Sequence, residues 1–242
     1  MAKVQRDNSR HITEILKDGA WKGRRAFVVG SGPSMRGFQY DLLKDELTIG
    51  CNEEFRWTPT IAMCQDVRWI EARKDDAAYR NCKSIKVYCK SHPDYDEGFT
   101  LPDWVYLITP TTTRKGRPWG HTLDGGVANA ACCGIPALNL ADILGADPIY
   151  LLGFDCRADD AGRVNGHDRY PPEWQMPVQR NRFGLWIKQF RSYAKDISAH
   201  VVNLNYLSAL DCFPKAHPGW VKTAEGLFFT PHPAMDGEGM LS

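Results

Sequence analysis

Short apolar runs separated by polar, glycine-marked stretches set the pattern of this chain. Ala26–Gly30, Leu47–Cys51, Ile61–Gln65, Ile85–Cys89, Val105–Ile108, Ile149–Gly153 and Val201–Leu204 are four or five residues long and lack strict alternation. Strands covered on both faces of a parallel sheet read this way. Helical segments fall between or beside them. Residues 9–20 carry Ser9 as an N-cap and Ile12, Ile15 and Leu16 as one apolar stripe. Tyr40–Leu47 reads as a helical turn. Ala128–Leu144 reads as a helix with Pro136 near its start and Gly145 as its stop. Arg180–Ser198 is amphipathic, with Phe183, Trp186, Ile187, Phe190 and Tyr193 on one face. Strands alternating with helices predict an α/β fold with a Rossmann-like, mostly parallel sheet flanked by helices. One nucleotide-binding domain is expected over residues 1–214, followed by a Pro/Gly-rich extension over 215–242.

In an open parallel sheet, ligands bind beyond the carboxyl ends of the strands. That rule singles out Gly30–Ser34, Cys51–Glu53, Gln65–Arg68, Thr109–Gly126 and Asp155–His167. In Gly30-Ser31-Gly32-Pro33-Ser34, two glycines allow a sharp bend and close backbone approach. Backbone amides there would form an anion nest, and Ser34 could donate to a phosphate or cap the turn. The pattern is neither the dinucleotide GxGxxG, since Met35 stands at the last position, nor a Walker loop, since no Gly-Lys-Ser/Thr follows. An ordinary strand-to-helix turn would carry the same residues.

The same stretch resembles the Gly-x-Gly-Pro-Ser-Leu loop of bacterial lipooligosaccharide sialyltransferases. It also resembles a wider group of proteins related to 6-hydroxymethylpterin diphosphokinases, phage-encoded members included. Cys51-Asn52 is similar to a Cys-Asn pair of the sialyltransferases whose asparagine contacts the donor nucleotide. Cys133-Gly134, Leu144-Gly145-Ala146 and Ile149–Asp155 resemble their Ser-Gly, Leu-Gly and Ile-Tyr-Leu-x-Gly-x-Asp block, and Asn205–Phe213 resembles their closing segment. The likeness covers roughly residues 25–66 and 125–214. It implies a nucleotide-sugar donor, CMP-linked if the sialyltransferase likeness extends to the base. Gly30, Ser31, Gly32, Pro33, Ser34, Asn52, Asp66, Cys133 and Gly134 would then bind that donor. Gln65-Asp66 replaces an asparagine of that pattern, and the catalytic histidine of the family falls near Asn181. His167 is the nearest histidine that could act as general base for an acceptor hydroxyl. Tyr170 would support the leaving phosphate.

Other constellations leave alternatives open. Asp66 and Asp155 follow strands at the ligand edge and could hold Mg²⁺ against a diphosphate. Asp155 could equally hydrogen-bond the neighbouring loops. His121 lies in the other long polar loop, where a solvated side chain is the plainer reading. Arg114-Lys115-Gly116-Arg117-Pro118-Trp119 could clamp a diphosphate or form a solvated surface loop.

Composition narrows the class. The chain has 242 residues, 43% hydrophobic and 24% charged, with a formal net charge of +1. Nothing in that balance demands a nucleic acid or an anionic membrane. Eight cysteines without a CxxC pair read as reduced, mostly buried thiols. The first residues lack an apolar signal region, and no run of apolar residues is long enough to span a bilayer. A cytoplasmic protein is expected, with its oligomeric state left open. The functional expectation is a transferase using a nucleotide-linked donor, foremost a glycosyltransferase with His167, Asp155 and Tyr170 at the reacting centre. A Mg²⁺/ATP diphosphokinase-like enzyme and a non-catalytic nucleotide- or protein-binding protein are the alternatives.

Overall fold

The computed structural model describes residues 10–90, 100–111, 118–171 and 178–217, with backbone only for 178–181. Seven strands form one sheet: β1 (Ala26–Val29), β2 (Leu47–Cys51), β3 (Ile61–Cys64), β4 (Ile85–Cys89), β5 (Tyr106–Ile108), β6 (Ile149–Leu152) and β7 (Val201–Asn203). Their order is β5-β4-β3-β2-β1-β6-β7, and every neighbouring pair is parallel. The fold is therefore the α/β, Rossmann-like arrangement expected from the apolar runs. The chain winds outward from β1 to β5, then returns to place β6 on the other side of β1. The β1–β6 junction is thus the topological switch point of the sheet.

Alternate residues of the strands enter opposite cores. Val28, Ile49, Met63, Val87 and Leu151 pack with α3 (Gly134–Ile143), and Phe190 of α4 (Val178–Tyr193) joins them. Ala62, Cys64 and Tyr88 face the other way, onto Trp69 and Ile70 of α1 (Val67–Arg73) and Tyr79 of α2 (Ala77–Asn81). Phe27, Val29 and Leu152 share that second face and are covered by Met35 and Leu43 from short 3-10 turns. α3 is nearly all buried, which explains its apolar sequence on every side. Pro136 lies in its first turn, and Gly145 follows its end at φ +79°.

The expected helix over 9–20 is instead a single 3-10 turn, Ile12–Glu14, capped by His11. So short a segment gains little from isolated helix formation. Its chain pairs with the sheet: Leu107 N donates to Arg10 O (2.7 Å), forming a parallel bridge at the outer edge of β5. The opposite edge is treated alike. Asn203 N donates to Pro214 O (2.8 Å) and Ala216 N to Asn203 O (3.0 Å), so the chain stays with the sheet through Ala216. The helices α1 and α2 were absent from the hydropathy reading. Each starts at an aspartate, Asp66 or Asp76, whose carboxylate accepts from the amide two residues on.

Candidate functional site

The glycine-rich turn leaves β1 at the switch point. Its amides are directed inward: Gly30 N donates to Leu152 O, Gly32 N to Gly153 O, Met35 N to Gly32 O, and Ser34 N to Asp155 Oδ1 (3.0 Å). Pro33 has no amide hydrogen. The Ser34 hydroxyl also donates to Asp155, at 2.8 Å to Oδ2. Most of the turn's amides are thus taken by the chain's own carbonyls and carboxylate, Ser31 N being the exception among the described residues, and the turn is a clasp between the β1 and β6 loops. The glycines serve that clasp. A Cβ on Gly32 would lie 1.9 Å from Asp155 Oδ2, and one on Gly153, at φ +71°, would lie 2.2 Å from Gly30 O.

Asp155 is buried at the centre of this contact. Burial raises its carboxyl above the usual range, opposed by hydrogen bonds from Ser34 and Asn205. Its backbone oxygen accepts from Ala209 N (2.8 Å). The reacting-centre role expected for Asp155 gives way to that of a buried fastener, because both its oxygens face Ser34. Asp66 accepts from Arg68 N and forms an ion pair with the Arg68 guanidinium. The Mg²⁺ pair expected from Asp66 and Asp155 is likewise corrected. Asp66 follows β3 and Asp155 follows β6, strands three inter-strand spacings or roughly 14 Å apart, and each carboxylate is engaged by its own neighbour, Arg68 or Ser34. Among the described residues no cluster of three or more His, Cys, Asp or Glu side chains suits a metal.

Asn52, Tyr170 and His167 do come together. Asn52 opens a 3-10 segment, Asn52–Trp57, at φ +54°. Its side chain hydrogen-bonds the Tyr170 hydroxyl, which also bonds Ser31, and Ser31 in turn bonds Glu54. Asn52 Oδ1 is buried without a partner among the described residues, so its amide nitrogen is the donor to Tyr170. Burial, followed by the nearby Glu53 charge, raises the Tyr170 hydroxyl well above its ordinary value. The His167 ring packs edge-on against Tyr170, with centroids 4.7 Å apart.

Two features here escaped the sequence reading. Glu54 is 2% exposed, and its Oε2 accepts from Tyr40 Oη (2.8 Å) and Trp57 Nε1 (3.1 Å). Burial raises its carboxyl to about 7 despite those bonds. The signal was its position two residues after the Cys51-Asn52 pair, at the ligand edge. The second is the strap over the clasp. Gly166 N donates to Ser31 O (2.9 Å), and Asp168 pairs with Arg36 (2.8 Å).

His167 Nδ1 accepts from Arg169 N (3.2 Å), which fixes the neutral ring as the tautomer with its proton on Nε2. Burial lowers the imidazole to about 4, so it is neutral near pH 7. In this tautomer the ring presents a proton at Nε2. Cys133 and Gly134 start α3: Cys133 Sγ donates to Met63 O (3.4 Å), and a Cβ on Gly134 would lie 2.5 Å from the Phe154 ring. Both are explained by packing. Trp119 is also a core residue, donating from Nε1 to Asp142 (2.7 Å). The other basic-loop positions, Arg114, Lys115 and Arg117, lie outside the described residues. His121 is exposed. All eight cysteines are free thiols, and no described helix is long and apolar enough to cross a membrane.

No protein-family model and no curated protein matches the sequence. Among solved structures, the chain is similar to the MAf glycosyltransferase from Magnetospirillum magneticum AMB-1, with a TM-score of 0.50 and 16% identity. That match covers 93% of this chain and 38% of the other, so the chain spans little more than a third of that protein's length. It is also similar to the sialyltransferase CstII from Campylobacter jejuni, solved with the substrate analogue cytidine-5'-monophosphate. There the TM-score is 0.49 at 15% identity, over 81% of this chain and 86% of the other. At these identities the likeness is one of fold alone, an α/β arrangement.

Proposed function

We propose that this chain is a glycosyltransferase-like transferase that takes a nucleotide-linked donor at the carboxyl edge of the sheet, beside the loops that follow β1 and β2. The observation that carries this reading is the convergence of Asn52, Tyr170 and His167 at that edge. Asn52 Oδ1 and His167 Nε2 are both buried there without a partner among the described residues. A buried acceptor and a buried donor left open are destabilising unless a ligand completes them. A nucleotide supplies both kinds of partner: hydroxyl or amino donors for Asn52 and oxyanions for His167. The resemblance to sialyltransferases in the Cys51-Asn52 pair and the block from Cys133 to Asp155 supports the same donor class. The geometry favours this over the diphosphokinase reading, whose carboxylate pair is not brought together.

A thermal-shift screen of nucleotides and nucleotide-sugars tests it. A ligand at a hundred times its Kd adds about 2.7 kcal/mol of apparent stability. Asn52→Gly keeps the tolerance of the left-handed backbone at φ +54° and removes the open Oδ1 acceptor. It should lose most of the shift. Failure of the wild type to respond to any nucleotide would leave the non-catalytic, protein-binding reading in its place.

A further inference from the structure

The arginines around the carboxyl edge of the sheet are almost all neutralised. Arg36 pairs with Asp168, Arg56 with Glu53 and Asp76, Arg68 with Asp66, Arg157 with Asp160, and Arg163 with Asp159. Arg169 differs. Its side chain is exposed and has no ion pair among the described residues. Its charge nevertheless reaches into the site, favouring the less protonated forms of His167, Glu54 and Tyr40.

The neighbouring carboxylates are already engaged. Asp168 is held by Arg36, Glu53 by Arg56 and Arg73, and Glu54 by Tyr40, Trp57 and Ser31. Two residues before Arg169, the His167 Nε2–H is buried without an acceptor. The Arg169 amide that fixes this tautomer belongs to the same residue as the uncommitted guanidinium. A fork of cationic N–H donors beside a neutral, oriented N–H donor matches an oxyanion with several acceptor oxygens.

We infer that Arg169 and His167 form an oxyanion-binding site at this edge of the sheet, taking a phosphate or diphosphate group. The site lies on the strap, residues 165–170, rather than on the β1 turn. It deepens the transferase reading by naming where the donor's phosphates bind, yet the geometry of an anion site stands without that reading.

Isothermal titration with inorganic pyrophosphate at fixed ionic strength tests it on the full chain. Wild type should bind saturably. Arg169→Gln should weaken binding by about ten- to a hundredfold, as expected for loss of a charged hydrogen-bond partner. His167→Ala should weaken it, and His167→Gln, whose amide restores a donor near the Nε2 position, should recover part of the loss. Arg163→Gln, just before the strap and paired to Asp159, controls for net charge and should bind as wild type does. Melting curves confirm that each variant is folded. Absence of wild-type binding, unchanged binding by Arg169→Gln, or an equal loss in Arg163→Gln would each overturn the assignment. A nucleoside, its monophosphate and its sugar-linked form then separate the sources of the anion. Pyrophosphate binding that depends on Arg169, without binding of any nucleotide, keeps the anion site and removes the transferase reading. Nucleotide binding untouched by Arg169→Gln does the reverse.

Discussion

Glu54→Gln isolates the electrostatic strain beneath the site. Glu54 is almost fully buried, and its carboxyl is raised from an ordinary value of 4.5 to about 7. The folded protein therefore prefers Glu54 protonated. Stability from this group is fully present below pH 4.5 and is lost as pH rises through 7. Holding the carboxylate ionised above pH 7 costs about 3 kcal/mol. Glutamine is isosteric and cannot ionise. Its carbonyl can accept from Tyr40 and Trp57, and its amide can face Ser31, whose hydroxyl turns to accept. Relative to wild type, the variant should gain about 1 kcal/mol at pH 5 and about 3 kcal/mol at pH 8. For a domain of this size, the difference in Tm between the proteins should then widen by roughly 5–10 °C across that range. Paired thermal melts in matched buffers measure this directly, because every other titrating group is common to both proteins. A Tm difference that stays constant with pH would show that Glu54 titrates normally and that the reasoning is wrong.

Gly32→Ala drives a methyl group into Asp155 Oδ2 and Gly153 O; urea unfolding should show a loss of about 3 kcal/mol or more, and an unchanged midpoint would contradict the clasp. Ser34→Ala removes one of the hydrogen bonds to the buried Asp155 carboxylate, and the same assay should register a loss of about 1.5–3 kcal/mol. Thiol titration of the native protein should leave Cys51, Cys64, Cys89 and Cys133 unmodified until denaturant is added, since all four are buried. The half-buried Cys212, whose thiol burial pushes to about 11, should react only slowly near neutral pH.

The strands were legible because burial on both faces writes itself as short apolar runs, and all seven occur within a residue of where hydropathy places them. α1 and α2 were not, because their information lies in Asp66 and Asp76 as caps and in the aromatics Trp69 and Tyr79. Those few apolar positions are too sparse for a periodic signal. The glycines at 30 and 32 were correctly read as sites of close approach, but a sequence cannot say what approaches. It is the β6 loop with its carboxylate, which occupies both donors of Ser34. Asn52 and His167 lie in segments that the carboxyl-edge rule singles out, whereas Tyr170 entered through the resemblance alone. The tautomer of His167 depends on one backbone amide two residues away, and no pattern of residue types encodes it.

The strips at the two margins of the sheet have a bearing on how this chain can be handled. A parallel sheet open at both ends presents backbone donors and acceptors that can recruit a second chain. Here Arg10–His11 takes up part of the β5 margin and Pro214–Ala216 part of the β7 margin. A product trimmed just inside either strip would keep its core and its site residues yet acquire an adhesive rim. The β7 side matters more. The segment that turns from β7 to Pro214 includes Ala209, which anchors to Asp155 through its backbone. Loosening that margin would therefore reach the fastener between the β1 and β6 loops, linking self-association of the protein to the shape of the sheet's carboxyl edge, where the proposed site lies.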